Sequence, residues 1–198
     1  SVDSLVSKNI NVYFKNSASD TTKKIVMISV LGSGNNKSLP NSYMANVLNT
    51  IASSSNVQLV FNYMPNQEAD AKAIFDLCDS NTQTKIVFDF YVKGLRGFLA
   101  VLSQCDALIG NEGGATNMSK SLNIPTFTIY APWINRTSWN IFEETGLHEI
   151  VHLSDYFPEL YKNKHPKNFK EKALEWYDKF NPELFKEKLQ NFIVKISQ

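Results

Sequence analysis

The chain has 198 residues, of which 43% are hydrophobic and 20% charged, and its formal net charge at neutral pH is +1. This length and composition are typical of one globular domain with a substantial buried core. The near-neutral charge argues against a broad nucleic-acid-binding surface, which requires a basic excess, and no apolar run approaches the roughly 20 residues of a membrane span.

Residues 1–24 are polar and rich in Ser, Asn and Lys, which predicts a lead-in or linker. They show no secretory signal, which would place positive charge before an apolar stretch. Cys78 and Cys105 lie in apolar helical patterns and form no CxxC pair, which favours reduced core thiols over a disulfide. We therefore expect a cytoplasmic protein, with at most a peripheral contact at the inner face of the cytoplasmic membrane.

From residue 25 onward, short apolar strands alternate with helices. The continuous apolar run over 25–31 predicts a strand that is covered on both faces. Five further apolar runs predict strands, the last of them at a sheet edge: 57–61, 85–88, 107–109, 125–130 and 149–153. Helical patterns occupy intervals between them: about 40–53, 66–78, 95–104 and 113–122. This alternation predicts an α/β fold with a Rossmann-like parallel sheet and helices on both faces.

The alternation ends after residue 130. Residues 131–147, where two tryptophans flank Arg136, show no period and predict a functional loop. Asn181 and Pro182 predict the cap and first turn of a terminal helix whose apolar stripe packs on the core. We expect three parts of the chain: a lead-in over 1–24, a Rossmann-like domain over 25–155 and C-terminal helices packing on that domain over 156–198.

Ligands of open parallel sheets bind at the carboxyl ends of the strands, and the segment 32–40, GSGNNKSLP, follows the first strand there. Its small residues let a ligand approach the backbone, and Lys37 offers a mobile positive charge. The segment matches neither the P-loop nor the dinucleotide GxGxxG pattern. Taken alone, it is as compatible with a plain surface turn.

A second segment, 110–117 or GNEGGATN, joins a buried strand to a helix. Its glycines clear space above the helix amino terminus, where free N–H groups and the helix dipole favour a phosphate. Glu112 is placed to accept hydrogen bonds from sugar hydroxyls or to cap the helix. The alternative is close strand–helix packing, with Glu112 as the cap.

These segments resemble glycosyltransferase family 9, the lipopolysaccharide heptosyltransferases. Residues 107–132, ALIGNEGGATNMSKSLNIPTFTIYAP, are similar to that family's signature stretch, in which an apolar strand leads into Asn-Asp-[Ser/Thr]-Gly, two residues and His. A small-residue helix, a Pro-led strand and Gly-Pro complete the signature. Residues 37–40 are similar to its Lys-x-Trp-Pro motif, and 95–102 to the helix before the signature strand. Glu68 falls where the family has an acidic residue, and the resemblance covers about 25–135.

The resemblance implies the carboxyl-terminal, donor-binding lobe of a GT-B enzyme. That enzyme would move a heptose-like sugar, with inversion, from an ADP-linked nucleotide sugar to a lipopolysaccharide or other glycan acceptor, without a metal or other cofactor. The catalytic base and the contacts to a glycolipid acceptor would belong to an amino-terminal lobe, and nothing before residue 25 is long enough to form one. We therefore predict that the chain is a fragment that binds donor weakly and does not turn over.

Carried over by position, the resemblance implies that Lys37 neutralises the donor diphosphate, that Glu68 binds the ribose and that Glu112 contacts the sugar. The other implied donor-binding residues lie beside the phosphates or the base: Ser33, Gly34, Val92, Lys93, Gly113, Gly114, Ala115, Thr116 and Asn117. Two positions depart from the family pattern, because Glu112 replaces Asp and Asn117 replaces His. These changes leave open a different sugar, a weakened or lost activity, or a non-catalytic nucleotide-binding or interaction module.

Residues 148–152, HEIVH, match the HExxH motif of zinc metalloproteases. The motif requires a helix, whereas its two β-branched residues, Ile150 and Val151, favour a strand. On a strand the two histidines would lie too far apart to share a metal ion. The protease is therefore a remote alternative, and we expect no metal site.

Overall fold

The computed structural model describes residues 23–198 except 55, 90–91, 93, 136–145 and 163–165. Six parallel strands form one sheet in the order β3-β2-β1-β4-β5-β6. Their bounds are β1 Lys24–Ser29, β2 Val57–Asn62, β3 Ile86–Val87, β4 Ala107–Asn111, β5 Thr126–Ile129 and β6 His148–Val151. The strand order reverses between β1 and β4, so the segments that follow these two strands meet at the carboxyl edge of the sheet.

Seven α-helices are described in these ranges: α1 Asn41–Ser54, α2 Glu68–Leu77, α3 Ser80–Lys85, α4 Leu95–Leu102, α5 Gly114–Ser121, α6 Ala173–Lys179 and α7 Lys186–Ser197. Short 3-10 turns include Asn35–Lys37 after β1, Pro65–Gln67 after β2 and Pro166–Lys172 before α6. The α/β fold class predicted from the sequence is confirmed.

Helices cover both faces of the sheet, which explains why the central strands are apolar without interruption. Val26 and Ile28 of β1 point to the larger core, which holds residues of α1, α2, α6 and α7. Met27 points to the opposite, smaller core with residues of α4 and α5. Successive strand residues face opposite sides of a sheet, so one short run supplies both cores.

The C-terminal segment packs against the same core as the strands. The Asn181 side chain caps the 3-10 turn Pro182–Leu184 by accepting a hydrogen bond from the Glu183 backbone, and α7 begins only at Lys186. The predicted terminal helix therefore starts one turn later than expected. Phe185, which separates the 3-10 turn from α7, has non-helical backbone dihedral angles. Apolar side chains of α7 then pack beside α1.

The HExxH segment forms strand β6, not a helix. His148 is buried with its Nδ1 3.1 Å from the Thr126 hydroxyl, whereas Glu149 pairs with Lys188 at 3.2 Å. No group of three potential metal-ligating side chains occurs among the residues that the structure describes. The metalloprotease alternative is therefore wrong, because it requires a helix where the chain forms a strand.

Both cysteines are buried and free, as the sequence predicts. Burial, with a smaller contribution from the adjacent carboxylate, raises the pKa of the Cys78 thiol and of the Cys105 thiol to about 12. In the described ranges, none of the helices has both the length and the apolar character needed to cross a bilayer.

Candidate functional site

The loop after β1 is fixed by its own backbone and by Ser38. The Ser38 hydroxyl accepts a hydrogen bond from the Gly32 N–H at 2.9 Å and donates one to the Gly34 carbonyl at 3.0 Å. A Cβ atom at position 32 would lie 2.3 Å from the Lys37 carbonyl oxygen, so only glycine fits there. The loop therefore curls back on itself and places Lys37 above the sheet edge.

Asn111, the last residue of β4, ties this loop to the signature segment. Its Oδ1 accepts a hydrogen bond from the Leu39 N–H at 2.8 Å, and its Nδ2 donates to the carbonyls of Ser29 and Val30 at 3.1 and 3.0 Å. The side chain is 1% exposed. Buried amides are expected to be satisfied in this way, so Asn111 holds the two predicted site segments together.

The strand that carries Asn111 also needs a glycine. Gly110 has a φ of +136°, and a Cβ atom there would lie 2.4 Å from the Ser29 carbonyl oxygen. Strands β1 and β4 could not approach each other as closely with any larger residue at this position.

Lys37 and Glu112 meet between the two segments. The Lys37 Nζ lies 3.0 Å from Glu112 Oε1, and the side chains are 28% and 12% exposed. The two atoms are close enough for an ion pair but do not align as a hydrogen bond. The structure therefore brings positions 37 and 112 together, and their direct pairing is a contact that the sequence analysis did not predict.

Glu112 does not cap helix α5. The residue at the cap position is Gly113, and no side chain caps the helix there. A Cβ atom at Gly113 would meet nothing within 4 Å, so the space beside this residue is open, and Gly113, Gly114 and Ala115 line the cavity described below. The buried Thr116 hydroxyl in the first turn has no hydrogen-bond partner within the described residues. These groups suit an anionic or hydroxyl-bearing ligand.

A second buried hydroxyl lies in the electrostatic field of Glu112. Tyr177 of α6 is fully buried, and its hydroxyl has no hydrogen-bond partner within the described part of the chain. Burial, followed by the carboxylate of Glu112 and by Tyr161, raises the pKa of Tyr177. The phenol therefore stays protonated and is a neutral donor near the site.

Two adjoining cavities open at this edge of the sheet. The glycine-lined cavity, about 300 Å³, is bounded by the loops after β1, β2 and β4. The apolar cavity, about 420 Å³, is bounded by β1, β2 and helices α4 and α5. They share four lining residues: Asn62, Tyr63, Met64 and Ala115. Together they form one continuous site with a polar end and an apolar end.

The apolar cavity is walled by flexible and aromatic side chains. Met27 of strand β1 and Met118 of helix α5 line it, together with Phe98 and Val101 of helix α4. Val92 also lines it, at the place where the family resemblance puts the nucleotide base. Lys93, the other residue implied there, lies outside the described residues.

Only some of the predicted site residues line a cavity. Ser33, Glu112, Gly113, Gly114 and Ala115 all line the glycine-lined cavity. Lys37, Gly34 and Thr116 do not, since Lys37 pairs with Glu112 and the Thr116 hydroxyl is buried. Glu68 and Asn117 are exposed and line neither cavity.

Glu68 misses the cavity because the 3-10 turn Pro65–Gln67 precedes it and faces the site instead. Asn66 and Gln67 line the glycine-lined cavity. Gln67 Nε2 donates to the Gly32 carbonyl at 2.8 Å, which links the loops after β1 and β2. Gln67 immediately precedes Glu68, the acidic residue that the family resemblance implies at the ribose.

No protein-family model matches the chain, and neither does any curated protein sequence. The fold does match solved structures. The glycosyl transferase family 9 protein from Veillonella parvula has a TM-score of 0.62 at 13% identity, covering 87% of this chain and 50% of that one. ADP-heptose lps heptosyltransferase II of E. coli has a TM-score of 0.56 at 13% identity, covering 85% of this chain and 51% of that one.

The chain therefore has a glycosyltransferase fold, and its Rossmann-like sheet corresponds to a lobe of the GT-B architecture. Within that class, the matching structures include heptosyltransferases and a glycosyl transferase family 9 protein, which confirms the resemblance at the level of the fold. The E. coli heptosyltransferase WaaC with ADP-2-deoxy-2-fluoro heptose is a further match, with a TM-score of 0.51 at 13% identity over 71% of this chain and 40% of that one. The chain spans about half the length of these proteins or less.

Proposed function

We propose that this chain is the donor-binding lobe of an inverting glycosyltransferase and that its donor is a nucleoside diphosphate sugar. The observation that carries the proposal is the continuous site at the switch point of the sheet, polar at one end and apolar at the other. Its apolar end has the size and lining of a ligand pocket and suits a planar base. Its glycine-lined end suits a diphosphate and the sugar attached to it.

Charge explains how such a site would assist transfer. A nucleoside diphosphate gains negative charge on its leaving oxygen as the sugar departs. The N–H groups at the start of α5 and the Lys37 ammonium are positive groups that are already in place, and preorganised groups of this kind stabilise a developing charge. Glu112 would meet the hydroxyls of the transferred sugar, and its ion pair with Lys37 offsets part of the repulsion between its carboxylate and the phosphates.

The finer assignments follow the family resemblance and are part of the same proposal. We take the nucleotide to be ADP and the sugar to be heptose-like. The acceptor is a lipopolysaccharide or another glycan, held together with the catalytic base by a second lobe. The chain by itself binds donor without transferring the sugar.

A second candidate is a nucleotide-binding module without transfer activity. The ion pair favours it, because Lys37 is held by Glu112 and Asn117 is exposed where the family has His. The two candidates differ in whether the sugar contributes to binding. A donor lobe should bind ADP-glucose more tightly than ADP, whereas a module that recognises only the nucleotide should gain no affinity from the sugar.

Isothermal titration calorimetry with ADP, ADP-glucose and UDP tests the proposal. We expect ADP to bind and UDP to bind more weakly. The substitution Lys37→Ala should lower the affinity for ADP about tenfold, or by ~1.4 kcal/mol. Lys179→Ala, which changes an exposed lysine at the end of α6, is the matched control and should leave the affinity unchanged. A wild-type chain that binds neither ADP nor ADP-glucose would refute the proposed function.

A further inference from the structure

A third cavity lies beside the 3-10 turn Asn35–Lys37, between this turn and the segment that leads into α6. Its volume is about 530 Å³, and it is lined by Asn35, Asn36, Lys170, Glu171, Ala173 and Leu174. We call it the amide-lined cavity. It has no lining residue in common with the glycine-lined cavity, although the same loop after β1 contributes to both.

The groups around this cavity suit a neutral ligand that is rich in hydroxyls. The side-chain amides of Asn35 and Asn36 belong to residues that line the cavity, and each amide both donates and accepts hydrogen bonds. Hydroxyl groups have the same double capacity. Lys170 and Glu171 carry opposite charges, so together they favour neither an anion nor a cation. The amide-lined cavity therefore differs from a phosphate site.

An apolar surface completes this recognition chemistry. Leu174 is 63% exposed, although it lies on a cavity wall, and Ala173 is buried next to it. The C–H face of a sugar ring can cover such a side chain while its hydroxyls reach the amides. Ligand pockets commonly combine an apolar wall with a few polar groups that fix orientation.

Trp133 fixes the turn that separates the two sites. Its indole N–H donates to the Asn36 carbonyl. The ammonium groups of Lys37 and Lys170 lie 5.5 and 5.3 Å from the centroid of its ring, within the range of cation–π attraction. The turn thus holds Lys37 against Glu112 while Asn35 and Asn36 line the neighbouring cavity.

We propose that the amide-lined cavity binds a neutral sugar unit of the acceptor glycan. This inference rests on the proposed function, since it takes Glu112 to mark the sugar end of the donor. A hydroxyl-bearing ring in the amide-lined cavity would then lie across one turn of the chain from the sugar to be transferred. This lobe would contribute to acceptor choice as well as to donor binding.

The test is ¹⁵N–¹H NMR of the full chain titrated with methyl α-glucoside, in the presence and absence of ADP. Two sets of signals report on the cavity. The side-chain amides of Asn35 and Asn36 line it, and the indole N–H of Trp133 is bonded to the turn that bears them. We expect these signals to move with the glucoside, and we expect Asn35→Ala to weaken glucoside binding about fivefold, the effect of one hydrogen bond. Asn168→Ala changes an exposed asparagine of the 3-10 segment Pro166–Lys172 that does not line the cavity, and it should have no effect.

Two results would overturn this proposal. One is the absence of any movement of these signals up to the solubility limit of the glucoside. The other is glucoside binding that Asn35→Ala leaves unchanged. Titration of the same samples with ADP keeps the two proposals apart. Signals of Gly113 and Gly114 that respond to ADP, with no response to glucoside at the amide-lined cavity, would remove this inference and leave the proposed function standing.

Discussion

Replacing Asn111 with leucine isolates the contribution of one buried amide to the site. Leucine has the same branched arrangement of four heavy atoms, although its methyl groups are larger than the amide groups that they replace, and it can form none of the hydrogen bonds. The Leu39 N–H loses its acceptor, and the carbonyls of Ser29 and Val30 each lose a donor. An unsatisfied buried N–H costs about 2 kcal/mol and each carbonyl, with its second lone pair still usable, about 1 kcal/mol.

Burial of the leucine returns about 1 to 2 kcal/mol, so we expect Asn111→Leu to lower the free energy of unfolding by about 2 to 3 kcal/mol. Urea unfolding followed by tryptophan fluorescence measures this loss as a lower midpoint with an unchanged slope. Because the loop that bears Lys37 loses its anchor, calorimetry should also show weaker ADP binding by the folded variant. Asn62→Leu, at the half-buried end of β2, is the matched control for stability. A variant as stable as the wild type would refute the anchoring role of Asn111.

Three further predictions follow from the charges and thiols. Glu112→Gln should raise the affinity for ADP about fivefold in calorimetry, because it frees Lys37 and removes a negative charge beside the diphosphate. Weaker ADP binding by this variant would contradict the prediction. The Cys78 and Cys105 thiols, with pKa values raised to about 12, should not react with a thiol reagent in the native chain at mildly alkaline pH, and both should react in guanidinium. Burial, and then the positive charge of Lys120, lower the pKa of His148 below the usual value for histidine, so the unfolded chain takes up the proton first as the pH falls. Thermal stability should therefore fall as the pH drops below about 6.5 toward the folded-state value, and His148→Gln should flatten that fall; an unchanged slope would assign the pH dependence to other groups.

The sheet was predictable because its strands lie in predominantly apolar runs of the sequence. Six strands appear where the apolar runs predicted them, including the edge strand at His148–Val151. Helix α3, Ser80–Lys85, was not predicted, because its sequence SNTQTK has no apolar periodicity. Asp79 starts it instead, by accepting a hydrogen bond from the Thr82 N–H at 2.7 Å. Local capping, not burial, defines this element.

The candidate site was predictable only in part. The glycines and charges after β1 and β4 indicated where the segments meet, since both follow buried strands. The apolar cavity was missed, because Met27, Phe98 and Met118 also fit ordinary core positions and face one another only in the folded chain. Asn111 ends the apolar run ALIGN, and a polar amide at the end of a buried strand is the one signal that could have indicated its role.

Several predictions of the sequence remain predictions. The functional loop proposed over 131–147 lies mostly outside the described residues, including Arg136. Residues 1–22, most of the proposed lead-in, also lie outside them. The cytoplasmic location, the peripheral membrane contact and the division of the chain into three parts await experiments of their own.

The central claim is that a nucleotide occupies the two joined cavities, and the methionine methyl groups test it most directly. The chain has four methionines, and three of them, Met27, Met64 and Met118, line the apolar cavity, whereas Met44 is buried in α1 within the larger core. On titration of the methyl-labelled chain with ADP, we predict that the ring current of the base shifts the first three methyl signals and leaves that of Met44 in place. ADP binding that leaves the three cavity methyl signals unmoved would contradict the account.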